Sequence, residues 1–273
     1  MVRRRIRRRG VALSGVAAAY SATGGAWERG PGRIYDRLAE VLVGSSPLAL
    51  AGALVVDVGA GTGAATRAAL AAGAGAVVAV DGAIGMLAHR ASHRPAAAVG
   101  DMLALPFAAA AFDAAVAAFS LNHLADPAAG LREMARVTRP GGPLLAAAYA
   151  ATDAHPVKAA VEAALTARGW VPEPWYLAAQ VEARVALSTV ERAAAVAVAA
   201  GLDADVDEVR VPFPELDAGH LVAWRLGVAQ HAPFVAGLAP AERDAVIADA
   251  VRRLGDRPPM LVRTLVVVRA LSR

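Results

Sequence analysis

The sequence predicts a parallel α/β sheet covered by helices on both faces, and three observations lead there. Short apolar runs recur at intervals of roughly 20–30 residues, each followed by a helix or a loop. The runs are continuously apolar rather than alternating, as strands buried on both faces must be. A glycine-rich turn, Asp57-Val58-Gly59-Ala60-Gly61-Thr62-Gly63, stands between the first run and its helix.

The elements follow in order. A basic tail leads into the turn-rich stretch 24–32, then an amphipathic helix over 33–43 with Ile34, Leu38, Val41 and Leu42 on one side. Strands are expected at 53–58, 76–80, 96–99, 112–119 and 143–149, with helices at 64–72, 84–91 and 128–137 between them. The stretch 152–201 reads as helical, 206–213 as a strand, 216–230 and 240–254 as helices, and 261–269 as a last strand. No repeat or linker divides the chain. The expectation is a tail over 1–19 and one domain over 20–273, with a core at 50–150 and a helical insertion near 152–205.

Composition excludes several classes. At 273 residues, 57% hydrophobic and 19% charged, the chain has ample core and is too apolar for disorder. It contains no cysteine, which removes disulfides, thiolate zinc sites and cysteine nucleophiles together. Mean hydropathy is +0.44, yet the longest apolar stretch, 102–120, is interrupted by Pro106 and Asp113 and reads as buried strand plus loop, not a membrane span. The net charge of +4 is local. Six arginines fall within the first nine residues, and removing those six from 28 leaves 22 basic residues against 24 acidic. The body therefore carries −2, with Lys158 its single lysine, and lacks the basic stripe of a nucleic-acid binder. An arginine-rich start followed by an apolar stretch has the outline of an export signal, but that stretch is short and broken by Ser14 and Gly15, so a cytoplasmic protein is expected.

The glycine turn is the chemical focus. Glycine lets backbone approach a ligand, and the following helix start offers free N–H groups. Gly59, Gly61 and Ala64 formally match a dinucleotide fingerprint, with Asp81 at a suitable distance. Asp57, just before the first glycine, would oppose a pyrophosphate and suits a ligand with a cationic amino group. The run 55–63 resembles the first motif of class I S-adenosylmethionine (SAM)-dependent methyltransferases. The run 77–81 resembles their second strand, Gly100-Asp101-Met102 with Leu105-Pro106-Phe107 their adenine loop, 112–124 their fourth strand, and 131–142 the helix and turn before strand five. The closest likeness is to the small-molecule branch that contains the ubiquinone and menaquinone methyltransferases, although Ala118 stands where those often carry serine.

That resemblance implies seven strands, the last antiparallel, and SAM as cofactor with S-adenosylhomocysteine as product. It assigns SAM to Asp57, Gly59, Ala60, Gly61, Thr62 and Gly63, to Asp81 (ribose hydroxyls), Gly82 and Met86, to Gly100, Asp101 and Met102 (adenine), and to Phe119. It further implies an N-terminal cap in which Tyr20 and Tyr35 reach the cofactor. His123, after the fourth strand, is the candidate base for the acceptor's proton. His220, Trp224 and His231, at spacings of four and seven, are candidates for one helix face lining the acceptor site. His155, before Pro156, reads as loop. No metal-ligand spacing is present. The expected function is methyl transfer to a small, apolar acceptor. The rivals are an NAD-dependent oxidoreductase, a nucleic-acid methyltransferase and a non-catalytic SAM-binding protein.

Overall fold

Short runs of valine and alanine become buried strands because nothing polar interrupts them and β-branched side chains fit a pleated surface. A computed structural model describes residues 15–89, 95–181 and 185–273. In it β1 (Leu54–Val58), β2 (Ala76–Asp81), β3 (Ala97–Val99), β4 (Ala114–Ala118), β5 (Pro143–Tyr149), β6 (Ala204–Phe213) and β7 (Leu261–Leu271) form one sheet in the order β3-β2-β1-β4-β5-β7-β6. The first five strands pair in parallel, and β7 runs antiparallel between β5 and β6. This is the doubly wound seven-stranded sheet that the resemblance implies, reversed strand included.

Helices α1 (Gly15–Ser21), α2 (Gly24–Arg29) and α3 (Gly32–Gly44) precede the sheet. α4 (Ala64–Ala71) and α5 (Ile84–Ala88) follow β1 and β2, and α6 (Pro127–Val137) joins β4 to β5. Between β5 and β6 lie α7 (Val157–Thr166), α8 (Pro174–Val181) and α9 (Val190–Ala199); between β6 and β7 lie α10 (Ala218–Leu226), α11 (Ala232–Gly237) and α12 (Pro240–Leu254). Successive strand residues point to opposite faces, which divides the core in two. Val55, Val77, Val116, Leu145 and Leu265 share a buried cluster with Leu38 of α3, Ala68 of α4, Val161 of α7, Leu221 of α10 and Val246 of α12. Val56, Val80, Ala117, Ala146 and Val268 share the other with Leu131 and Met134 of α6 and with Ala193 and Ala197 of α9.

Three expectations are corrected. Residues 15–19, inside the stretch expected as a tail, are helical as part of α1; the arginines themselves lie outside the described residues. The turn-rich stretch holds helix α2, because burying Trp27 between the rings of Tyr20 and Tyr35, at 5.5 and 4.7 Å, outweighs the poor helix propensity of its glycines. The helix expected over 216–230 ends at Leu226 with Gly227 as its cap, a position where any side chain would overlap Pro31 and the Ala26 carbonyl of the α2–α3 junction packed against it. Among the described residues no helix is long and apolar enough to cross a membrane.

Candidate functional site

A cavity of about 970 Å³ opens at the carboxyl ends of β1, β2, β4 and β5, bounded by Asp57, Asp81, Ala118 and Tyr149. Open parallel sheets bind ligands at this edge. The volume lies near the top of the ~300–1,000 Å³ range of small-molecule sites, with room for two ligands side by side.

The end beneath β1 and β2 is built from backbone and carboxylates. Gly59 holds φ +72° and lies against Ser120, whose side chain any Cβ at that position would overlap. Ser120 in turn donates its hydroxyl to the Val58 carbonyl at 2.7 Å, tying β4 to β1. Asp81 pins the glycine loop to the end of β2: its carboxylate accepts the Gly61 and Ala83 N–H groups, both at 2.7 Å. Asp57 is buried and accepts the Thr66 hydroxyl at 2.6 Å. Thr62, Gly82 and Met86 line this end, as do Gly100, Asp101 and Met102, with Asp101 holding its own loop through the Leu103 N–H at 2.9 Å.

The middle is aromatic. Phe119 leaves β4 at φ +60°, a costly conformation for a side-chain-bearing residue, and its ring stacks on Tyr149 at 4.7 Å and meets Tyr35 edge-on at 5.3 Å. His123 closes a 3₁₀ turn, Leu121–His123, directly after β4; its Nε2 lies 3.4 Å from the Tyr20 hydroxyl of α1. Both line the cavity, so the N-terminal cap and the loop after β4 meet over it.

At the end beside β5 and β7 sequence reasoning named Trp224 but missed the charged residues around it. Arg263 lies on β7 in phase with Leu261 and Leu265, facing the core, and it is 8% exposed. It pairs with Asp153 at 2.7 Å, while the Asp153 carboxylate also accepts the Thr264 N–H at 2.9 Å. The guanidinium sits 3.9 Å from the Tyr149 ring centre and 4.7 Å from that of Trp224. Burial pushes the Tyr149 hydroxyl well above the usual phenol range, with Tyr35 adding to the rise and Arg263 opposing it. Beside Trp224 lies Arg225, a second buried guanidinium, whose pKa burial lowers. An arginine in phase with an apolar stripe was the available signal, because a buried charge is costly and is kept where something uses it.

Most of the candidates read from sequence meet at this cavity. Gly63 does not line it: it caps α4 in the left-handed conformation, φ +89°, with its N–H on the Ala60 carbonyl at 2.7 Å. Trp224 lines the cavity, but its expected companions are corrected. His220 is solvent-exposed and bonded at 2.7 Å to Asp217, the cap of α10. His231 lies beyond the end of α10, so helical spacing does not carry it to the Trp224 face. It is fully buried, within 2.6 Å of the Arg225 carbonyl through Nδ1 and edge-on to Trp170 at 4.8 Å. Burial, reinforced by Arg225, lowers its pKa to about 3, so it is neutral. His155 is in a loop, as expected, and lines the cavity. No cluster of three or more metal-ligating side chains occurs among the described residues.

The donor residues fit SAM. Among the described lining residues up to Ala125, the charged side chains are Asp57, Asp81 and Asp101, with no lysine or arginine, which suits a ligand carrying sulfonium and ammonium charges. Sheet order, glycine loop and strand-end acid are those of the class I methyltransferase fold. Residues 56–146, one third of the chain, match the family model described as a methyltransferase domain. It is 41% identical over 133 residues to a demethylmenaquinone methyltransferase of Mycolicibacterium gilvum, covering 49% of this chain and 56% of the relative. The chain thus spans little more than half the length of the curated relatives it matches. Among solved structures it resembles a Haemonchus contortus phosphoethanolamine N-methyltransferase in complex with SAM, with a TM-score of 0.54 at 18% identity, covering 97% of this chain and 58% of the other. It also resembles the [4+2]-cyclase SpnF, with a TM-score of 0.52 at 22% identity, covering 87% and 81%. The fold is shared by all three.

Proposed function

We propose that the protein transfers a methyl group from SAM to a small acceptor with an apolar body, leaving S-adenosylhomocysteine. The observation that carries this reading is the continuity of one cavity from the glycine loop and Asp81, inside the matched core, to an aromatic wall supplied by residues outside it. SAM supplies a methyl group activated by a positively charged sulfur. The protein's part is to hold, orient and keep dry. Gly59 and Gly61 bring backbone close, Asp81 accepts the ribose hydroxyls, and the 100–102 loop borders the adenine. Asp57 faces the amino group, and Tyr20 and Tyr35 close the site from the cap. Phe119, at the end of β4, presents aromatic surface to the cationic sulfur. His123, a short step from the Tyr20 hydroxyl, takes the proton from the acceptor's hydroxyl, enol or amine. Near-attack alignment of two bound reactants contributes about 7–11 kcal/mol to lowering the barrier.

The test has two parts. Calorimetric titration with S-adenosylhomocysteine and with NAD should give saturable binding of the first alone. Incubation with methyl-labelled SAM and a small-molecule extract of the host should then yield a labelled product. Binding of NAD in place of S-adenosylhomocysteine assigns an oxidoreductase. Binding without any labelled product in extract from several growth phases assigns a non-catalytic or non-methylating role, as the cyclase on this fold illustrates.

A further inference from the structure

The charges lining the cavity are sorted by end. Among the described residues they are carboxylates on the side of β1 and β2, whereas on the side of β5, α7, α9, α10 and β7 they are Lys158, Arg192, Arg225 and Arg263 against one carboxylate, Asp153. Two of those cations lack a full partner. Arg263 spends one edge on Asp153, and its Nε is buried with no hydrogen-bond partner among the described residues. Among the described residues the one carboxylate that Arg225 pairs with is Glu162, at 3.9 Å, and that carboxylate is already taken by Lys158 at 2.9 Å and the Tyr176 hydroxyl at 3.0 Å. The Arg225 Nε and the Trp224 Nε1 are likewise buried without a partner among the described residues. Buried donors of this kind are expensive unless something accepts from them. Neither a purely hydrocarbon body nor a cation meets that demand.

We infer that the acceptor carries an anionic group, a carboxylate or an equally acidic oxygen, seated between Arg225 and Arg263 with its apolar body against Trp224 and Tyr149. An anion there supplies acceptors to both guanidinium edges, and a planar carboxylate matches their fork geometry. Arg225 and Arg263 both lie outside residues 56–146, so this specificity belongs to the part of the chain that the family model does not match. The cation-lined end also repels the positively charged cofactor, which keeps the two ligands in their own halves.

The inference rests on the methyltransferase reading, and its test separates the two. Benzoate, 4-hydroxybenzoate and 1-naphthoate, each beside its neutral methyl ester, are titrated into the full chain saturated with S-adenosylhomocysteine, with tryptophan fluorescence and calorimetry as readouts. At least one acid should bind tenfold or more tighter than its ester. That preference should disappear in Arg225→Gln and in the charge-balanced double variant Asp153→Asn/Arg263→Gln, whose circular dichroism and melting profile verify folding. Acids binding no better than their esters overturn the inference while leaving S-adenosylhomocysteine binding, and the methyltransferase reading, intact. A tenfold loss of S-adenosylhomocysteine affinity in Arg225→Gln would assign the cationic wall to the cofactor's own carboxylate and overturn it as well. Failure of the wild-type chain to bind S-adenosylhomocysteine sinks the methyltransferase reading instead.

Discussion

Beneath β1 and β2 the cavity wall is backbone and carboxylate; beside β5 and β7 it is guanidinium and aromatic ring. The first end belongs to the matched methyltransferase domain and the second lies mostly beyond it. The difference teaches how such a fold divides its work. A constant ligand is held by main chain at strand ends, where the topology fixes geometry. A variable ligand is met by side chains on elements that can change without disturbing the sheet.

The seam between the ends is where the largest effect is expected. His123→Ala should lower turnover by ~10²–10⁴-fold with S-adenosylhomocysteine affinity nearly unchanged, the mark of a group used in the transition state. Less than a threefold change at saturating acceptor would strike His123 from the machinery and leave Tyr20 and its cap as closure alone.

Next comes the glycine loop. Gly59→Ala adds a left-handed residue and an overlap with Ser120, so it should cost about 2–4 kcal/mol of stability, read from the denaturant midpoint. Gly141→Ala, at φ +79° with open space around its Cβ, should cost only about 1 kcal/mol. Equal losses in the two variants would mean that close approach to Ser120 is not what demands glycine at position 59.

The two ends were not equally legible in the sequence. The glycine loop, Asp81 and the 100–102 loop could be read because each is a run of neighbours whose backbone conformation is encoded locally, and the strands could be read because buried parallel strands are continuous apolar runs. The core of the cationic wall is assembled from the segment after β5, α10 and β7, and only the fold brings Asp153, Arg225 and Arg263 together. Helical periodicity misplaced His231 because it assumed that α10 continues past Gly227, whereas the helix is capped there, against Pro31, distant in sequence. The N-terminal cap stood between these cases: Tyr20 and Tyr35 were legible through resemblance, but helix α2 depends on tertiary burial of Trp27.

A pH effect marks the shell behind the cationic end. His231 is buried and neutral, with a folded pKa of about 3 against ~6.5 when exposed. The unfolded chain therefore takes up the proton first. This contribution to stability is complete above about pH 6.5 and is lost as pH falls toward 3, by up to about 1.4 kcal/mol per unit. Thermal melting of wild type and His231→Phe across that window should show a shallower acid slope in the variant. Identical slopes would contradict the burial of a neutral imidazole behind Arg225.

The division of labour is tested most directly by one titration series with S-adenosylhomocysteine: wild type, Asp81→Asn and Arg225→Gln. Wild type should bind one equivalent. Asp81→Asn should bind roughly ten- to a hundred-fold more weakly, because a charged acceptor in a partly buried site is worth about 1.5–3 kcal/mol. Arg225→Gln should stay within twofold of wild type. No binding to wild type, or an Arg225→Gln loss as large as that of Asp81→Asn, would contradict the assignment of one end of the cavity to the cofactor and the other to the acceptor.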